Sequence, residues 1–387
     1  MRAGIGSSTA ETAAVAGREA AEEALSRAAE PVLTFLFSTE QYDQQVLLET
    51  VRDCVGSGRI VGACMGGVIT SRGVLEHGVG VCVISGDELE VVTTLQEGGT
   101  CEPGEMGRRA AEELLAGNPQ GGTVFVLPDG FGANIAKALR SLYNAMGPDF
   151  AYTGGGTGDN LHFARSYQFT EKGVASGGLA AALLRGVHIK TGIGHGWKPI
   201  GDPLVITRAE NKTVLEIDGL PAFTAYSKRL GDIPREEFPA FGMRHPLGFP
   251  DISGNYLIRD PITVNEDDSI GFVTEIPGNA VGSLMRGEVP VLIETARRAV
   301  CDVVDALVQP DLVLLFDCIS RYLLMEEDFQ KELSVIASAI GRDVPVLGAL
   351  TFGEVGSYED VPLLHNKTLT LAAAGNLKGR QARHAGE

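Results

Sequence analysis

Five short segments of the chain collect residue types able to do chemistry. The densest is Gly154-Gly155-Gly156-Thr157-Gly158-Asp159-Asn160. Glycines lack a Cβ, so their backbone N–H groups can approach an anion or a carbonyl closely. Gly155 and Gly156 are therefore candidate donors, with Asp159 and Asn160 as polar neighbours. No Gly-Lys-Ser/Thr follows and no helix opens directly from the loop, which excludes a P-loop and a dinucleotide fingerprint. A tight connection packed on a neighbouring repeat explains the same glycines. His195-Gly196-Trp197 holds the single tryptophan of the chain. The pair could stack on a ligand and hydrogen-bond it, or the indole could be a core residue satisfied locally.

Asp317-Cys318-Ile319-Ser320-Arg321 follows an apolar strand, where parallel sheets present ligands. Arg321 could clamp a carboxylate through two parallel hydrogen bonds, or pair internally with Asp317 or Glu354. Cys318 could be a nucleophile if its thiol were acidified. No base is positioned for it by sequence, so the expectation is a buried, non-catalytic thiol. In Thr351-Phe352-Gly353-Glu354, Glu354 could receive a ligand amine, with Thr351 beside it. His365-Asn366 adds a polar pair at the start of the last strand. His77, His162, His188, His195, His245 and His365 are scattered without HxxxH or HExxH spacing, so no metal site is expected. No cofactor is required; haem, which needs one histidine, stays open.

The elements that must position these residues repeat. Val32 to Phe37, Val124 to Leu127 and Leu312 to Phe316 read as buried strands. Each is followed by a polar loop, a helix, another strand and a glycine loop. The helix faces are Leu47, Val51 and Cys54; Ile135, Leu139, Leu142 and Met146; and Phe329, Leu333, Ile336 and Ile340. The glycine loops lie near Gly66, Gly158 and Gly353. This predicts three similar βαβ units with parallel strands. Val79 to Ile84 and Glu90 to Leu95 around Ser85-Gly86-Asp87-Glu88 read as a hairpin, so the sheets are mixed. Ser7-Ser8-Thr9 reads as the cap of a first helix. The expected fold is α/β with mixed parallel and antiparallel sheets, in two related domains built from repeated βαβ units.

With 387 residues, 44% apolar and 21% charged, the chain is an ordinary globular one of two or three domains. A net charge of −18 repels phosphates and anionic lipid, so neither nucleic acid nor membrane is an expected partner. Six cysteines without CxxC spacing, and no apolar leader, predict reduced thiols and a cytoplasmic location.

In this order, the motifs resemble the FIST family, named for F-box and intracellular signal transduction proteins. Val61-Gly62-Ala63-Cys64-Met65-Gly66-Gly67, the Gly154–Asn160 loop, His195-Gly196-Trp197 and Asp218-Gly219-Leu220-Pro221-Ala222 look like its N-terminal domain. Asp317 to Arg321, Gly348 to Gly356 and His365-Asn366 look like its C-terminal domain. The boundaries read as a strand and helix over 1–30, an N-terminal domain over 31–227, a proline-rich linker over 228–254, a C-terminal domain over 255–377 and a polar tail over 378–387. The resemblance implies a sensory protein that binds an amino acid or small carboxylate between its halves. It would signal through a separate protein such as a histidine kinase; some members bind haem and sense nitric oxide. A thiol-dependent hydrolase or transferase using Cys318 is the enzymatic alternative. Oligomeric state is left open.

Overall fold

The computed structural model describes residues 1–378 apart from Thr100, Ala133, Arg342, Glu359 and Asp360. The tail beyond Lys378 lies outside the described residues. The chain opens with β1 (Arg2–Ser8) and α1 (Ala13–Leu25). Then come β2 (Leu33–Ser38), α2 (Gln44–Val55), β3 (Arg59–Cys64), the hairpin β4 (Gly67–Thr70)–β5 (Gly73–Leu75), and β6 (Val79–Ser85). The series begins again with β7 (Glu90–Gln96), α3 (Pro103–Leu114), β8 (Gly122–Pro128), α4 (Ile135–Met146) and β9 (Phe150–Gly155). It continues through the hairpin β10 (Tyr167–Thr170)–β11 (Gly173–Ser176) and β12 (Leu179–Arg185). A third series starts at β13 (Ile189–Gly194) and is interrupted by an insertion, residues 198–286. The insertion forms an eight-stranded antiparallel sheet from β14 (Lys198–Glu210) to β21 (Ala280–Arg286), with α5 (Ala222–Arg229) and α6 (Phe238–Arg244). The series resumes with α7 (Val289–Val304), β22 (Leu307–Cys318), α8 (Ile319–Met325), α9 (Phe329–Ile340) and β23 (Val346–Thr351). It ends with the hairpin β24 (Glu354–Gly356)–β25 (Leu363–His365) and β26 (Leu369–Leu377).

Three six-stranded sheets result, with orders β1-β6-β2-β3-β10-β11, β7-β12-β8-β9-β24-β25 and β13-β26-β22-β23-β4-β5. Each is one copy of the same unit, and each holds one parallel pair: β2 with β3, β8 with β9, β22 with β23. The expected βαβ repeats are thus present three times. Each copy also gives its hairpin away. β4–β5 of the first joins the sheet of the third, β24–β25 of the third joins the second, and β10–β11 of the second joins the first.

The sheets turn their inner faces to one shared core. Phe35 meets Phe125 at 4.9 Å between centroids, and Phe37 meets Phe316 at 5.9 Å. Residues between these on each strand, such as Leu36 and Val124, face the outer helices. Strands buried on both faces read as unbroken apolar runs, which is why they stood out in the sequence. The insertion has its own core around Leu204, Tyr226, Phe238 and Leu284.

Three local expectations are corrected. Ser7 and Ser8 lie in β1; the cap of α1 is Thr12, whose hydroxyl accepts the Val15 amide. β6 and β7 are not a hairpin. β6 has β1 on one side and β2 on the other, so both edges are taken and the chain passes to the next sheet. The proline-rich stretch 228–254 is not a linker. It forms α6 and the strand Leu247–Pro250 of the inserted sheet, with its prolines at element ends.

Candidate functional site

The glycine loops converge on the pseudo-threefold axis. The Gly66 amide donates to the Leu350 carbonyl (3.0 Å), the Phe352 amide to Gly156 (2.9 Å), and the Gly158 amide to Cys64 (3.1 Å), closing a cycle. Gly66, Phe352 and Gly158 are therefore equivalent residues. Only one of the three has a side chain, and it fills the axis. A Cβ on Gly158 would stand 2.3 Å from the Phe352 ring, and one on Gly66 3.2 Å. The Gly156 amide is spent on the Gly353 carbonyl (2.6 Å). Gly155 packs on Thr351 and pairs with Glu354. The buried Asp159 carboxylate accepts the amides of Phe163, Ala164 and Arg165, and Asn160 is exposed. These glycines and Asp159 shape a loop; they do not aim donors at a ligand.

By the same equivalence, Thr39, Asp129 and Cys318 stand at matching positions at the ends of β2, β8 and β22. Their amides donate to Gly78, Gly178 and Thr368 respectively. The third copy alone surrounds this position with buried charge. Arg321, Lys367, Glu332, Glu354 and His365 are fully buried, and Asp317, Cys318, Asp260 and Asn366 nearly so. His195, Trp197, Cys318, Arg321, Thr351, Glu354, His365 and Asn366 are thus brought together, at the carboxyl ends of parallel strands and under the inserted sheet. Sequence reading missed Lys367, Asp260, Ser320 and Glu332. A lysine next to His365-Asn366 was the available signal for the first.

Arg321 is engaged internally and is not free to clamp a ligand. Its Nε donates to Asp317 (2.9 Å), one terminal nitrogen to the His195 carbonyl (3.0 Å) and the other to Glu332 (2.5 Å). Its partners are Asp317 and Glu332, not Glu354. Those two carboxyls also face each other, and burial with the Glu332 charge holds the Asp317 carboxyl well above the usual range. Asp317 Oδ2 and Glu332 Oε1 have no hydrogen-bond partner among the described residues.

Glu354 is a neutral acid. Burial pushes it up to about 8. The sister repeat carries a neutral amide at the same place. Gln168, at the equivalent position, accepts the Gly178 amide (2.9 Å) and donates to the Thr157 hydroxyl (2.5 Å). Glu354 accepts the Thr368 amide (3.2 Å) and meets the Thr351 hydroxyl (2.8 Å). The Thr351 hydroxyl donates to Glu354 and also faces the Asp317 carbonyl (3.1 Å), whereas Gln168 donates to its threonine. Cys318 lies 3.0 Å from the Ser320 hydroxyl and hydrogen-bonds Glu354, while Ser320 reaches Asp260. Burial pushes the Cys318 thiol far up, so it is no thiolate.

Asp260, from the insertion, pairs with Lys367 at 3.0 Å. The Lys367 ammonium lies over the Trp197 ring, 5.4 Å from its centroid, and the indole N–H donates to the Lys367 carbonyl (3.1 Å). Lys367 has φ +54°, where the equivalent Gly177 has +65°. A side chain in that region costs roughly 1–3 kcal/mol. Thr274 of the insertion donates to Asn366 (2.8 Å). Both histidines are neutral: burial pulls His195 down to about 4, and burial with the Arg259 charge pulls His365 down to about 3. His365 Nε2 donates to Gly356 (3.2 Å), which leaves Nδ1 as a buried acceptor without a partner. No group of three or more metal-binding side chains occurs among the described residues.

Comparison with known families matches residues 32–220 to the FIST N domain and 222–357 to the FIST C domain. The chain belongs to the FIST family. FIST domains are sensory domains of signal transduction. The match divides this FIST protein inside the inserted sheet, although each domain supplies strands to the other's sheets. Uncharacterised proteins of two Mycobacterium tuberculosis strains, CDC 1551 and H37Rv, are 26% identical over 96% of this chain and 99% of theirs. An uncharacterised protein of Methanocaldococcus jannaschii is 27% identical over 49% of this chain and 42% of its own. Among solved structures, PurLQS from Thermotoga maritima aligns over 97% of this chain and 72% of its own at a TM-score of 0.22 and 9% identity, too loosely to bear on the fold. No helix of the described residues is long and apolar enough to cross a membrane.

Proposed function

We propose that this FIST protein senses a small zwitterion, an amino acid, at the Lys367–Asp260 pair, and signals through a separate protein. The carrying observation is Lys367 itself. It is fully buried, joins the three-sheet body to the insertion, and holds a strained backbone where the sister repeat has glycine. An internal ion pair of this kind resembles the ligand it would yield to. A zwitterion entering under the insertion gives its carboxylate to Lys367 and its ammonium to Asp260, so no net charge is added to the buried site. His365 Nδ1 offers a further acceptor for the ammonium. A small carboxylate without an amine would leave Asp260 unpaired and bind more weakly.

The test is a thermal-shift panel of the common amino acids and their deaminated analogues. A true ligand at a hundred times its Kd adds about 2.7 kcal/mol of stability. The response should vanish in Lys367→Met and survive in Arg321→Lys, provided each variant melts cooperatively. A panel without any response, or the same response in Lys367→Met, rejects the assignment.

A haem-based nitric oxide sensor is the competing reading. His188 borders a cavity of about 680 Å³ at the opposite end of the axis. Its walls mix glycine backbone and the charged Asp87, Glu88, Arg185 and Asp311 with three apolar side chains, Met1, Leu89 and Val187, a small apolar surface for a porphyrin face. A Soret band in haem-supplied protein that disappears in His188→Ala would favour it. The thiol-dependent enzyme loses support because Cys318 faces a neutral acid and no base.

A further inference from the structure

We propose that the second repeat carries a separate binding site, for a small organic ammonium ion, at Asp129. Asp129 occupies the position that Cys318 holds in the third repeat, by their matching amide bonds to Gly178 and Thr368. There the inserted sheet and Lys367 close the site. Here glycines stand in the lysine's place, and a pocket of about 200 Å³ opens beside the carboxylate.

The carboxylate is used on one side only. Oδ1 accepts the Phe131 amide (3.1 Å) and the Ser166 hydroxyl (2.6 Å). Oδ2 has no hydrogen bond or ion pair among the described residues and faces two glycines. A Cβ on Gly132 would stand 3.2 Å from it, and one on Gly177 3.8 Å. Glycine at these positions therefore keeps the front of Oδ2 open. Lys212 of the insertion donates to the Gly132 carbonyl (2.9 Å) and interacts with the Asp129 charge without a direct ion pair among the described residues. Burial pulls that ammonium down from its ordinary range, and the Glu275 and Asp129 charges hold it up.

The pocket walls are apolar: Met106, Ile135, Leu179 and Pro128 line it. No arginine or lysine among the described residues does, which disfavours anions. The volume corresponds to about six or seven waters, which excludes nucleotides. A half-buried carboxylate with one open oxygen and an apolar surround calls for a charged donor carrying a short hydrocarbon body.

The probe is n-butylammonium chloride titrated calorimetrically into the full chain, with n-butanol as its neutral counterpart. Saturable binding of the cation is expected, at least tenfold tighter than the alcohol. It should weaken at least tenfold in Asp129→Asn and stay unchanged in Lys367→Met. Gly132→Ala keeps the carboxylate and blocks its front, so it should abolish binding even if Asp129→Asn does not fold. No saturable binding, equal binding of the alcohol, or full binding in Gly132→Ala overturns the site. Because Lys367→Met removes only the amino-acid response, failure of one site is separable from failure of the other.

Discussion

Glu354 and Gln168 occupy equivalent positions and hydrogen-bond equivalent partners, and a protonated carboxyl differs from an amide only in carrying OH where the amide carries NH2. Glu354→Gln should therefore leave the hydrogen-bond network intact. The folded state holds this proton up to about 8, whereas the unfolded chain releases it near 4.5. The folded pKa is raised, so its contribution is complete at low pH and is lost as pH rises toward 8. His195 and His365 act in the opposite sense, but their effect is complete above about pH 6.5. Between pH 6.5 and 8, urea unfolding should show parent stability falling more steeply than that of Glu354→Gln. The difference is at most about 1.4 kcal/mol per pH unit. Equal slopes would mean that Glu354 is ionised when folded. Residue types in this cluster were legible in sequence, because Cys318, Arg321, Glu354 and His365 each adjoin a strand end. Their partners were not. Asp260 and Glu332 come from other elements, and an aligned repeat was needed to see that Lys367 stands where glycine belongs.

At the level of elements, glycine loops were read from sequence as either ligand cradles or packing devices, and the axis decides for packing. Three chain segments cross at one point, and there is room for one aromatic ring. Phe352 supplies it, with Phe131 at 5.0 Å and Phe163 at 5.7 Å around it. Gly158→Ala should cost about 1–3 kcal/mol by overpacking. Combined with Phe352→Leu, it should cost less than the sum of the two single changes, by about 1 kcal/mol in a double-mutant cycle of chemical denaturation. Strict additivity would mean that the ring and the glycine do not compete for space. Strand and helix existence followed the apolar periods closely. Pairing did not, because whether β6 turns back on β7 depends on β1 and β2 already flanking it, and no local pattern carries that information.

For the whole molecule, the insertion is the separable part. Lys198 pairs with Arg286, so the sheet leaves and re-enters the body at adjacent points. Replacing residues 198–286 by a short turn should preserve the far-ultraviolet circular dichroism of the three-sheet body and lower its melting temperature. It should also abolish any amino-acid response, since Asp260 is removed. Loss of cooperative melting would show that the insertion is part of the body's core. The three repeats are the inseparable part, because each completes another's sheet. β4 leaves the ribosome early, yet its pairing partner β23 is made about 280 residues later. At roughly 5–20 residues per second, that strand edge waits about 14 to 56 s without its partner. The price of interlocking is thus an interval during synthesis when open edges are exposed to other nascent chains. Slowing elongation should increase aggregation of this protein during synthesis, whereas a chain refolded from denaturant at high dilution should escape it.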